Sequence, residues 1–140
     1  MKIARNFREY KVLQDAVAFA SEVYKVTAEM PWFEKKGLCD QLQRAVVSIS
    51  SNIAEGAARP SDADFAHFLD TALGSAYEVE TQLLIAKNVG YINDNDRRRT
   101  IDDRRRTMDD DGAISFEKLL SDIQDIEKQL ANFISFIRKK

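Results

Sequence analysis

The sequence is poor in the residues that build disulfides, metal sites and tight turns. It has one cysteine and one histidine, which excludes a disulfide framework, a cysteine-based zinc site and any site that needs two imidazoles. Five glycines and two prolines in 140 residues are too few for the turn-dense all-β classes. Apolar runs are much shorter than the roughly 18 residues that span a bilayer, and the first residues lack the apolar core of a signal peptide. We therefore expect a cytoplasmic protein without membrane contact.

What the chain does contain is apolar and charged material in the proportions of a folded domain. Hydrophobic residues make up 44% and charged residues 31%, which predicts a single domain with one core over residues 1–140. Lysine and arginine number 21 against 23 aspartates and glutamates, a formal net charge of −2. This balance is not the bulk signature of a nucleic-acid-binding protein.

Apolar residues recur every three to four positions in four segments, which predicts four amphipathic helices. Pro31 ends the first segment, and Gly56 and Pro60 end the second. Ser61 opens the third with the spacing of a capping box, and Gly37 offers a later start for the second helix. The predicted helices cover about residues 10–28, 34–57, 61–90 and 115–138.

A charged stretch at about residues 93–113 connects the third and fourth predicted helices. It holds a near-duplication, in which Asp96-Arg-Arg-Arg-Thr-Ile-Asp102 is followed at once by Asp103-Arg-Arg-Arg-Thr-Met-Asp109. Aspartate and threonine are poor helix formers, which favours a solvated loop, although Ile101 and Met108 are spaced to share one face of a helix. Four helices with one long connection predict an all-α, up-down-up-down antiparallel four-helix bundle.

Nothing in the sequence singles out a catalytic, cofactor or metal site. Asp64 and His67 have the spacing of half a di-iron ligand pair, but a single histidine cannot supply the second half. The acidic runs at 93–96 and 109–112 do not keep the register of an EF-hand calcium loop. Cys39 lies on an apolar stripe and is expected to be a buried, unreactive thiol. We therefore expect no enzymatic activity, no cofactor and no metal.

A polar stripe runs beside the apolar stripe on the second and third predicted helices. Pairing these helices around the turn at residues 57–60 brings Arg44 opposite Gly74, within one turn of Glu78. We expect an ion pair between Arg44 and Glu78, with Gly74 and Ser75 allowing close backbone approach. The favoured interpretation is a structural seam between helices or subunits, and the alternative is a contact with a ligand or RNA. The candidate residues are Arg44, Ser48, Asn52, Glu55, Gly56, Gly74, Ser75 and Glu78.

The predicted topology also gathers cations at one end of the bundle. The start of the first helix, the turn at 57–60 and the end of the fourth helix meet there, while the third helix carries an excess of acidic residues. Such a separation of charge favours phosphate binding at this end, although cations are also ordinary at helix ends. The candidate RNA-binding residues are Lys2, Arg5, Arg8, Arg59, Arg138, Lys139 and Lys140.

Several stretches carry a recognisable pattern. Gln41–Gly56 contains Ser-Ile-x-x-Asn-Ile-Ala-Glu-Gly, and Asp64–Leu69, Ala72–Glu80 and Asn88–Ile92 complete the set. Together they resemble the four-helix-bundle family of 23S rRNA intervening sequence proteins. The resemblance is close over about residues 7–92, and the final helix matches in character only.

This resemblance implies a protomer that assembles as a ring-like homopentamer without enzymatic activity. Some members of the family are encoded inside intervening sequences of bacterial 23S rRNA genes. A related branch, the Avd accessory protein of diversity-generating retroelements, has a similar fold and binds a reverse transcriptase and RNA. Surplus aromatic residues at Trp32, Phe33 and Phe136 independently favour self-association. The mild acidity and the Arg/Asp duplication depart from the family pattern.

We therefore expect a non-enzymatic oligomeric scaffold that binds RNA or a ribonucleoprotein through its basic end. The alternative is a protein-interaction module with no nucleic-acid role.

Overall fold

A computed structural model describes residues 5–93 and 114–140 of the chain. These residues form four α-helices and two single-turn 3-10 helices, and they contain no β-strand, so the expected all-α class is confirmed. The 3-10 turns Phe7–Glu9 and Trp32–Glu34 precede the first and second α-helix. The α-helices are α1 (Lys11–Ala28), α2 (Leu38–Ala57), α3 (Asp62–Asn88) and α4 (Phe116–Arg138).

Serine side chains cap the starts of the two longest helices. Ser61 Oγ accepts a hydrogen bond from the backbone N–H of Asp64 at 3.1 Å, as the capping spacing predicted. Ser115 Oγ accepts from the backbone N–H of Lys118 at 3.2 Å. Each cap satisfies one of the N–H groups that a helix start leaves without an internal partner.

Two glycines set helix boundaries. Gly37, with φ −111° and ψ −111°, interrupts the helical backbone, so α2 begins at Leu38 instead of near residue 34. Gly90 has φ 89°, a left-handed conformation that glycine adopts readily, and it follows the end of α3. There the backbone N–H of Tyr91 donates to the carbonyl oxygen of Ala86 at 2.8 Å, closing the last turn.

The four helices pack in a ring around one core. α2 packs on α1 and α3, while α4 packs on α3 and, more loosely, on α1. Every helix contributes fully buried side chains to this core, and burying each large one stabilises the fold by about 1.5–3 kcal/mol. The largest of them include Phe19, Leu42, Ile49, Phe65, Leu69, Leu83 and Ile123.

Contacts at one end of the bundle join the start of α1, the α2–α3 turn and the end of α4. Arg5 donates to the carbonyl oxygens of Ala57 and Arg59, and Lys140 lies 3.8 Å from Asp62. This is the predicted meeting of three helix ends, and we call it the basic end.

Contacts at the opposite end join the α1–α2 connection with the end of α3 and the start of α4. Tyr91 Oη, just after α3, donates to Glu34 Oε2 in the α1–α2 connection at 2.7 Å, and Lys87 Nζ lies 4.8 Å from the ring centroid of Phe116 at the start of α4. The packing of the four helices is that of a helix bundle, with contacts at both of its ends.

Candidate nucleic-acid interface

Arg5, a predicted phosphate ligand, is bound into the protein at the basic end. Its Nη1 donates to the carbonyl oxygens of Ala57 at 3.2 Å and Arg59 at 2.6 Å, and its Nη2 donates to Asp62 Oδ1 at 2.7 Å. The guanidinium carbon also lies 4.6 Å from the ring centroid of Phe65. These contacts place Arg5 to close the end of α2 and leave it little capacity for an external phosphate.

Two more of the predicted cations at this end are also paired. Arg138 grips Asp70 with both Nη atoms, at 3.1 and 2.5 Å, and this fork joins α4 to α3. The hydrogen bonds to Asp70 raise the pKa of Arg138, so the guanidinium stays charged. Lys140 lies beside Asp62 and 5.7 Å from the ring centroid of Phe136.

Arg8, Arg59 and Lys139 remain exposed, and no acidic side chain among the described residues pairs with them. The guanidinium carbon of Arg8 lies 4.7 Å from the ring centroid of Phe7, and that of Arg59 lies 4.7 Å from the ring centroid of Phe68. Stacking on an aromatic ring restrains an arginine without neutralising it. We call Arg8, Arg59 and Lys139 the open cations. Lys2 and the duplication at 96–109 lie outside the described residues.

The polar seam between α2 and α3 is built from hydroxyl and amide groups. Ser48 Oγ and Ser75 Oγ are 2.8 Å apart across the two helices. Asn52 Nδ2 donates to the carbonyl oxygen of Ser48 at 2.8 Å and to its Oγ at 2.9 Å. The three side chains join α2 to α3 through a network of neutral hydrogen-bonding groups.

The prediction of an ion pair between Arg44 and Glu78 is wrong. Arg44 Nε donates to Asp40 Oδ2 at 2.9 Å, and 80% of the Arg44 side chain is exposed. A carboxylate four residues away on the same helix is within easy reach of an exposed arginine, so no cross-helix partner is needed. Glu78 is also exposed and accepts from Gln82 Nε2 at 3.3 Å.

Close backbone approach occurs at Gly56, and the expectation that Gly74 allows it is wrong. A Cβ added at Gly74 would meet no atom of the described residues within 4 Å, because Gly74 lies on the outer surface of α3. A Cβ at Gly56 would lie 2.7 Å from Phe68 Cβ and 2.9 Å from Phe65 Cδ1. Gly56 therefore lets α3 lie directly against the end of α2, while the neighbouring Glu55 is exposed.

Cys39 is buried, as expected from its place on the apolar stripe. Burial raises the pKa of its thiol, and the charge of Glu34 raises it further. A thiol with a raised pKa forms little thiolate at neutral pH, so it is a poor nucleophile. Among residues 5–93 and 114–140, no group of three or more His, Cys, Asp or Glu side chains is arranged to hold a metal ion.

A pair of carboxyl groups lies between α3 and α4, which the sequence pattern did not indicate. Glu127 of α4 is within hydrogen-bonding reach of Glu80 of α3, and burial followed by the contact with Glu80 raises the pKa of Glu127 to about 8. Gln124 Nε2 also donates to Glu80 Oε2 at 3.3 Å. Glutamates are common on helix surfaces, so their presence on α3 and α4 does not by itself indicate a contact. Predicting this pair from sequence would require knowing which residues of α3 lie opposite which residues of α4.

None of the helices in the described part of the chain combines the length and apolar character of a membrane span. Comparison with known families shows that residues 8–109 match the family described as 23S rRNA-intervening sequence protein. A similar solved structure is that of a protein of unknown function from the S23 ribosomal protein family of Bacteroides thetaiotaomicron VPI-5482. It is 25% identical with a TM-score of 0.67, and the alignment covers 89% of this chain and 95% of that chain. No curated protein matches the sequence.

Proposed function

We propose, because the chain belongs to the 23S rRNA-intervening sequence protein family, that it is a non-enzymatic, cytoplasmic, oligomeric scaffold that binds RNA or a ribonucleoprotein. The observation that carries the proposal is the set of open cations at the basic end. Arginine and lysine bind phosphate without reading base sequence, so these residues provide an electrostatic contact of general use for RNA.

The restraint of the open cations supports this role. Arg8 and Arg59 rest on aromatic rings, so less side-chain freedom is lost when a phosphate binds. Near them, Arg5 is bound to Asp62 and Arg138 to Asp70, and these internal contacts join the helix ends. The internal pairs thus hold the helix ends in place, and the open cations contact RNA.

Exposed apolar residues support assembly of several copies. One set consists of Val17 and Tyr24 of α1 and Val47 of α2, and the other of Tyr77 and Leu84 of α3. All five side chains are 42–54% exposed. The first set is on α1 and α2, while the second is on α3 beside Glu80, which contacts α4. A contact between unlike patches is heterologous, and a heterologous contact that closes makes a ring. We propose the homopentamer implied by the family resemblance, in which parallel protomers would bring their basic ends together.

The test is binding of a structured RNA hairpin, measured by fluorescence anisotropy at low salt. We expect the variant R8Q/R59Q/K139Q to lose affinity and to lower the slope of log K against log salt by about 2–3, since each lost phosphate contact removes about 0.7–0.9. The matched control K25Q/K35Q/K36Q removes the same charge from exposed lysines away from the basic end and should keep the slope. Equal losses in both variants, or no binding by the unmodified chain, would reject the RNA role.

The second candidate function is a protein-interaction module. The observation that favours it is Trp32, whose side chain is 87% exposed beside Phe33 at the α1–α2 connection. A cavity of about 490 Å³ opens there between Tyr24, Met30 and Trp32. Exposed aromatic residues beside a cavity are typical of protein-binding surfaces. Loss of a co-purifying protein in the variant W32A, with unchanged RNA binding, would favour this function.

A further inference from the structure

The contact between α3 and α4 contains two carboxyl groups that face each other. Gln124 Nε2 lies 3.3 Å from Glu80 Oε2, which fixes the Glu80 carboxyl against α4. Glu127 reaches the same carboxyl from one turn further along α4. Oε2 of Glu127 is inaccessible to solvent and has no hydrogen-bond partner in the described residues. A carboxylate in this position would hold a buried oxygen that nothing stabilises.

The groups around Glu127 do not offset a negative charge. Glu80 is the charged group that faces it from α3, and Gln124 is its polar neighbour one turn earlier on α4. On the α1 side of α4, Glu22 is engaged by Lys118 and Asp15 by Gln129. Among the described residues, the charged group that acts on Glu127 besides its burial is therefore a second carboxyl, that of Glu80.

We propose that Glu80 and Glu127 form a proton-dependent latch between α3 and α4. With a proton on Glu127, its O–H donates to the Glu80 carboxylate and the two helices are joined. When the proton leaves to solvent, Glu127 has no hydrogen to donate to Glu80, and like charges face each other at short range. The proton moves between Glu127 and water, so the step needs no other reactant. The latch goes beyond the proposed RNA scaffold and does not depend on it.

The position of the latch connects it with a surface of the molecule. Tyr77 and Leu84 lie three residues before and four residues after Glu80, so both are its neighbours on α3, and both are exposed. Any loosening of α3 from α4 would therefore move this apolar patch.

The direction in which pH changes the stability of the fold follows from the raised pKa of Glu127. Burial and Glu80 raise the pKa of Glu127 from 4.5 to about 8 in the folded chain. The folded state therefore holds this proton more tightly than the unfolded state. Stability from the latch is complete below about pH 4.5 and is lost progressively as the pH rises to about 8.

The direct test is a titration of the Glu127 carboxyl in the full chain, followed by the carbon-13 shift of its Cδ. We expect a midpoint well above the ordinary range of glutamate. E80Q removes the facing charge and should move the midpoint down, while E29Q, at an exposed site on α1's end, should leave it unchanged. An ordinary midpoint for Glu127, or no response to E80Q, would overturn the latch.

Thermal unfolding gives an independent readout that RNA binding does not affect. E127Q keeps a neutral donor at position 127 at every pH. Relative to E127Q, the unfolding equilibrium constant of the unmodified chain should rise between about pH 5 and 8, by at most about tenfold per pH unit. The increase should be below that limit because Glu127 is partly exposed to solvent. Parallel pH profiles for the two proteins would overturn the proposal.

Discussion

The two flanks of α3 are held to their neighbours by different chemistry. Toward α2, Ser48, Asn52 and Ser75 form a neutral network next to the close packing at Gly56. Toward α4, Glu80 and Glu127 bring two acidic groups together, and one oxygen of Glu127 has no hydrogen-bond partner in residues 5–93 and 114–140. One helix therefore has a flank joined by polar groups that do not titrate and a flank in which one contact depends on a proton.

This difference shows how a bundle can combine a rigid pair of helices with an adjustable one. Short hydroxyl side chains and glycine bring α2 and α3 together through groups that do not titrate. The carboxyl pair carries a desolvation cost that protonation relieves, so the α3–α4 contact responds to its surroundings. The following changes test whether the two flanks really differ in this way.

The largest effect is expected from Gly56→Ala on the α2 flank. The new Cβ would lie 2.7 Å from Phe68 Cβ, so the helices must shift apart, at a cost of about 1–3 kcal/mol in the free energy of unfolding. The matched change Gly74→Ala meets no atom within 4 Å and should stabilise α3 by about 0.5–1 kcal/mol. Denaturant unfolding of the two variants measures both values, and a loss of stability in both alike would contradict this assignment.

A smaller effect is expected from removing the hydroxyl contact of the seam. Ser48→Ala or Ser75→Ala should each cost about 1 kcal/mol, because each leaves its partner with one hydrogen bond fewer. A double-mutant cycle should show coupling between the two positions, and this coupling should be the same at pH 5 and pH 9. Coupling that changes with pH would remove the contrast with the α4 flank.

The smallest effect is expected from Arg44→Ala at the rim of the same flank. The ion pair with Asp40 is exposed and lies within one helix, so its loss should cost less than about 0.5 kcal/mol. Denaturant unfolding of the isolated protomer measures this loss of stability. Lys11→Ala, which breaks the exposed pair with Asp15, is a comparable control. A loss several times larger would show that Arg44 contacts more of the protein than Asp40.

Much of the architecture could be predicted because it depends on local sequence. The caps at Ser61 and Ser115 and the end of α3 at Gly90 follow from residues close to each boundary. α2 begins at Leu38 and not near residue 34, because Trp32–Glu34 form a 3-10 turn and Gly37 interrupts the helical backbone. Periodicity alone does not separate these two kinds of helix.

Contacts between helices were predicted less well, because they depend on register. The α2–α3 turn is short, so the residues of the polar seam could be assigned to one surface, although not the partner of Arg44 or the spacing at Gly74. α3 and α4 are separated by the long connection at 93–113, which sets no register between them. The Glu80–Glu127 pair was therefore beyond reach of the sequence, and the open cations could not be told from the paired ones.

The most direct test of the scaffold role is native mass spectrometry of the full chain mixed with a structured RNA at low salt. We predict a multimer of the 16.0 kDa chain that carries RNA, with five copies as the expected number. RNA-free single copies under these conditions would contradict the proposed function.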